Sequence, residues 1–169
     1  QKSLSVFQND ELRLAIAEGV IKAVSAIHSN GYAHRDIKPA NILISATEGV
    51  FLIDFGFSTK NDANSMANNS IRGTKGYIAP EILENRDSRK IDYFRADCYA
   101  LGIVLNNILG YDHRYPLLRM LIDPDPSKRP AHAGEAYRIW KNQVNCKGLE
   151  CFTSDIDRYI RKSFSAMLL

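Results

Sequence analysis

Two carboxylates, a lysine and an amide fall at short spacings early in this 169-residue chain: Asp36, then Lys38 two positions on, Asn41 five on and Asp54 eighteen on. They belong to the runs His34-Arg35-Asp36-Ile37-Lys38-Pro39-Ala40-Asn41 and Asp54-Phe55-Gly56. Asp and Asn oxygens suit a hard divalent cation, a carboxylate can take a proton from a hydroxyl, and a lysine offsets charge on oxygen. Phosphoryl transfer asks for these parts: a positioned hydroxyl, a metal clamp and compensation of charge, with little covalent work by the protein.

Such groups need rigid supports. Leu12, Ile16, Val20, Val24 and Ile27 recur at helical spacing and predict a long helix over 10–29 with one buried face, opened by Asn9 or Asp10 and closed by Asn30-Gly31. The apolar runs 42–44 and 50–53, bracketed by 45–49, predict a small antiparallel hairpin. Asn41 precedes one strand and Asp54 follows the other, so the hairpin brings them side by side. Between 56 and 78 the composition turns to Asn, Ser, Thr, Gly and Lys, which predicts an irregular, mobile segment. The stretch 96–109 is apolar nearly all round and predicts a buried central helix. Pro116 opens a short helix over 117–122, stopped by Asp123-Pro124-Asp125-Pro126. Further helices are expected over 131–141 and 154–165; the last is amphipathic and suits docking on the domain, with a membrane anchor as the alternative. No repeat or linker interrupts the chain, so one domain is expected over 1–169.

Composition narrows the class. Hydrophobic residues make up 45%, enough to close one core, and a net charge of +3 spread over the whole length argues against nucleic acid or membrane binding. Cys98, Cys146 and Cys151 are odd in number and lack zinc-ligand spacing, which fits a reducing compartment, cytoplasm or nucleus. No apolar run approaches the ~20 residues of a spanning helix. His113, His132 and Trp140 have no partner at ligand or nucleophile spacing and read as surface or packing residues.

The two motif runs match the catalytic-loop and metal-loop pattern of the eukaryotic-type protein kinases, and the chain resembles that family from about 10 to 141. A lone His-Arg-Asp triplet would read as surface turn residues; the joint spacing is what separates this case. The resemblance implies an α+β, mainly helical fold, the kinase C-terminal lobe, built as a helical bundle with a small catalytic-loop hairpin. It implies that Asp36 orients the attacking hydroxyl and accepts its proton, that Lys38 faces the transferring phosphate, and that Asn41 and Asp54 hold Mg2+ beside ATP. Lys38 is similar to the serine/threonine-specific members, so protein Ser or Thr is the implied acceptor.

Gly73-Thr74-Lys75-Gly76-Tyr77-Ile78-Ala79-Pro80-Glu81 resembles the substrate-facing end of the activation segment, with Thr74 placed to bond Asp36 and Lys38; an ordinary Gly-rich turn is the alternative. Arg35 resembles the arginine that pairs with an activating phosphate, and Ser70 falls where that phosphate sits, although an unmodified Ser in a polar loop fits equally. The resemblance further implies that His34 and Phe55, ahead of Gly56, pack into an internal spine. It makes Glu81 and Arg129 an ion pair, and Asp97 a bond acceptor for the catalytic-loop backbone near Gly102. Tyr99 departs from the family's Trp. Leu43, Val104 and Ile108 fall where the family stacks apolar groups beneath adenine, which core packing explains as well.

No Gly-rich phosphate-covering loop, strand Lys or helix Glu precedes Asp36, so the N-lobe is absent from this sequence. The expectation is an N-lobe in cis, upstream of Gln1, or a completing partner in trans, without which the isolated chain binds ATP weakly. Only 110–116 joins the central helix to the next, where kinases usually carry another helix. Two competing readings remain: a non-catalytic interaction module with the kinase shape, and a kinase for small molecules, which rarely carries Ala79-Pro80-Glu81.

Overall fold

The computed structural model describes residues 10–45, 47–61, 72–84 and 91–145. Asn9, Ser70, Cys146, Cys151 and the helix expected over 154–165 lie outside the described residues.

The first helix, α1 (Asp10–Ser29), buries Leu12, Ile16, Val20 and Val24 along one stripe. It closes where the N–H groups of Asn30 and Gly31 reach back to Ile27 and His28, with Gly31 left-handed at φ 82°. The short strand β1 (Tyr32–Ala33) leads into the motif loop, and a single 3-10 turn at Pro39–Asn41 leads out of it. The hairpin follows as expected: β2 (Ile42–Ser45) pairs antiparallel with β3 (Gly49–Leu52), Leu43 opposite Phe51. β3 lies hard against α1, because a Cβ at Gly19 would stand 2.5 Å from Val50 Cγ2.

Beyond the hairpin the chain is more ordered than its composition implies. β4 (Thr59–Lys60) returns to pair with β1, a two-residue contact too short to leave a periodic signal. After α2 (Pro80–Leu83), the central helix α3 (Tyr93–Leu109) begins at Tyr93 rather than 96. The cause is Asp92, whose carboxylate accepts from the N–H groups of Phe94 and Arg95 and caps the first turn. α4 (Pro116–Leu121) starts at its proline as expected. α5 (Ala133–Asn145) starts later and ends later than 131–141. His132 Nδ1 accepts the Glu135 N–H while Glu135 accepts the Ala131 N–H, a reciprocal cap that sets the start, and Val144 extends the buried face.

α1 packs on α3, α5 and β3, with Ile21, Leu101, Leu105, Leu117, Leu121 and Trp140 fully buried among them. The described elements are thus mainly helical, with two small antiparallel sheets, and the motif loop crosses between them. Among the described residues no helix is long and apolar enough to cross a membrane.

Candidate active site

The motif loop folds Asp36, Lys38, Asn41 and Thr74 onto one another. Lys38 Nζ donates to Asp36 Oδ2 and to Thr74 Oγ1, both at 2.8 Å, and Thr74 Oγ1 donates to Asp36 Oδ1 at 2.8 Å. This closes a triangle that uses both carboxylate oxygens. Asn41 Nδ2 donates to the Asp36 carbonyl at 2.9 Å and to Oδ2 at 3.1 Å, which turns its amide oxygen outward from the pair. The 3-10 turn carries Asn41 to this place, its N–H bonded to the Lys38 carbonyl at 3.0 Å.

Asp54 is brought alongside by backbone. The Ile53 N–H donates to the Asn41 carbonyl at 3.0 Å, so the next residue leaves the hairpin beside the loop. Asp54 adopts a left-handed φ of 62°, lies exposed, and accepts the Gly56 N–H at 3.3 Å. No hydrogen bond joins it directly to Asp36 among the described contacts. A carboxylate and an amide oxygen fit Mg2+, which takes one or two protein oxygens and completes its shell with phosphates and water.

Asp36 is 4% exposed. Burial pushes its pKa up, but bonds from Lys38, Thr74 and Asn41 outweigh burial and hold it below the usual 3.8. The group is a carboxylate at neutral pH, able to accept a proton.

The apolar groups expected beneath a nucleotide do not share one face. Leu43 points outward, 52% exposed, while Ile42 and Ile44, one pleat away, turn inward with Val104 and Ile108 around a hollow of about 210 Å³. Strand alternation separates Leu43 from Val104 and Ile108, a distinction the linear pattern did not carry. Phe55 is a second correction: its ring lies 5.1 Å from that of His34, but 52% of the residue is exposed, so it is not internal. The described residues cover only one side of it. His34 itself is fully buried, with Nε2 3.1 Å from the Ile53 carbonyl.

Supports run outward from the loop. Asp97, buried at the start of α3, accepts the N–H of His34 at 2.6 Å and of Arg35 at 2.8 Å. These bonds hold Arg35 at a left-handed φ of 68° that a non-glycine residue seldom adopts. The Arg35 guanidinium lies over the Tyr93 ring at 4.4 Å, and its buried Nε has no partner. Arg129 and Glu81 form a two-pronged buried pair, both contacts 2.8 Å, and the Tyr99 ring lies 4.9 Å beneath the guanidinium. Asp92 and His28 escaped the sequence reading. A carboxylate just before an apolar helix was the available sign for the first, and a histidine four residues after Val24 on the buried stripe for the second.

Comparison with known proteins agrees with this geometry. Residues 1–121 match the family model described as protein kinase domain. Serine/threonine-protein kinase TIO of Arabidopsis thaliana is 37% identical over 122 residues, 69% of this chain and 9% of that protein. Citron rho-interacting kinase of Rattus norvegicus is 40% identical over 138 residues, 80% of this chain and 6% of that protein. Serine/threonine-protein kinase 36 of Mus musculus is 32% identical over 125 residues, 73% of this chain and 10% of that protein. The chain therefore spans a tenth or less of each of these relatives. A matched family model covering most of the chain, together with these relatives, makes the chain a member of the eukaryotic-type serine/threonine protein kinase family.

Proposed function

We propose that residues 1–169 form the helical C-terminal lobe of a protein kinase domain and that the chain carries the transfer of the γ-phosphoryl group of ATP to Ser or Thr hydroxyls of a protein substrate. The observation that carries this is the closed triangle of Asp36, Lys38 and Thr74, with Asn41 bonded to it. Asp36 orients the hydroxyl and takes its proton, and Lys38 offsets charge on the transferring oxygens. Asn41 and Asp54 would hold Mg2+, which supplies charge neutralisation at the phosphates when bound. Thr74 fixes the carboxylate of Asp36 in the orientation a substrate hydroxyl would meet.

The cleft is completed by an N-lobe, in cis or from a partner in trans. Leu43, Phe51, Ile53, Phe55 and Phe57, each between 38% and 52% exposed, form the apolar face that supports this. Arg35, with a buried unpartnered Nε, supports a regulatory reading in which phosphate on Ser70 orders the activation segment. The location proposed is the cytoplasm or nucleus.

The test follows radiolabel from ATP to protein in the native polypeptide that contains this chain. Wild type labels a Ser/Thr substrate, and Asp36→Asn lowers kcat by about 10²-fold or more while the fold is retained. Equal labelling by the variant would leave the chain a non-catalytic binding module.

A further inference from the structure

His28 lies in the last turn of α1, outside the motif runs, and is 5% exposed. Its imidazole joins three elements. Nδ1 accepts the N–H of Ala133, the first residue of α5, at 3.0 Å. A ring nitrogen that accepts carries no proton, so Nε2 holds it and donates to Asp97 Oδ2 at 3.1 Å. The ring stacks on Phe94 at 4.3 Å and 23°, which fixes its plane. One tautomer is thus selected by a backbone amide at the start of a helix, where the N–H direction is set by the helix itself.

We propose that His28 is a positioning residue for the catalytic loop, carrying the location of the α5 N-terminus to Asp97 and through it to Asp36 and Thr74. Its effect on rate rests on the kinase reading; the positioning rests on geometry alone. Asp97 Oδ2 receives both the imidazole and the His34 N–H, and Oδ1 receives the Arg35 N–H. The two backbone donors belong to the loop, so they cannot by themselves anchor the carboxylate to the rest of the molecule. The imidazole can, because it is bonded on its far side to α5. Release of the carboxylate frees Arg35 from its left-handed conformation. The Arg35 carbonyl lies against Gly73, where an added Cβ would stand 3.0 Å from it, so a shift of Arg35 reaches Gly73 and the neighbouring Thr74.

The test compares His28→Phe, which keeps a stacking ring but removes both polar atoms, with His28→Gln, which keeps a donor for Asp97. Both are made in the protein as the cell produces it, and amide hydrogen exchange is read beside steady-state kinetics. In His28→Phe the His34 and Arg35 amides exchange about 10-fold faster while those of Leu118 and Leu121 in α4 are unchanged. In the same variant kcat falls about 10-fold with KM for ATP within about 2-fold of wild type, and His28→Gln restores most of both losses. Unchanged exchange at His34 and Arg35, equal acceleration in α4, or no rescue by Gln overturns the proposal. If His28→Phe does not fold, nitrogen-15 shifts of the wild-type imidazole decide: an unprotonated Nδ1 supports the relay and a protonated Nδ1 overturns it. If wild type transfers no phosphate, the kinase reading fails and the exchange arm still judges the clamp.

Discussion

At Asp36 burial and hydrogen bonding oppose each other, and the bonds prevail. Three side chains donate to a group that is 4% exposed, so its folded pKa lies below 3.8. A lowered carboxylate pKa contributes stability that is full above the unfolded value and is lost as pH falls through the folded one. The same carboxylate remains a base down to that point. Between about pH 5 and 8 the rate should therefore show no acid limb from Asp36, and Thr74→Val, which removes a donor, should bring such a limb upward; a pH–rate profile of kcat/KM reads both. At this scale the sequence was most legible where side chains act by type and spacing, as at Asp36, Lys38 and Asn41. It was least legible where exposure decides. Phe55 looks apolar in the sequence yet lies half open, and His28 looks like a stray polar residue yet is buried with both nitrogens bonded.

Elements with a strong period or a proline at their start, α1, the β2–β3 hairpin and α4, were readable because local pattern and packing agree. β4 was not, since its pairing with β1 is a long-range bond across the motif loop and no two-residue stretch announces that. α3 began early because a single carboxylate satisfies two of the free N–H groups of its first turn. Asp92→Ala should cost about 1 kcal/mol in a urea unfolding curve. The same change also removes the acceptor for Asn61 Nδ2 at 3.1 Å, which ties the chain after β4 to the start of α3. Amides in the first turn of α3 should lose protection before those near Leu105, and uniform loss would mean that the cap acts on global stability alone.

Over the whole molecule, the buried pair of Glu81 and Arg129 joins the end of the activation-segment run to the stretch before α5. Both residues are under 5% exposed, so removing one leaves a charge that water cannot reach. Arg129→Met should destabilise by about 3–5 kcal/mol, and Glu81→Gln with Arg129→Met together by less than the sum of the two alone. A double-mutant cycle in denaturant measures the difference, and simple additivity would show that the two act separately. Contacts of this kind join positions far apart in the chain, which is why the pair entered the sequence reading only by family resemblance.

The missing side chain at Gly19 has a mechanical consequence. With Val50 seated where a methyl group would stand, the hairpin that bears Asn41 and Asp54 has no room to slide along its supporting helix. The two travel as a single rigid plate, and any opening or shutting around a bound nucleotide must be hinged on some other part of the polypeptide.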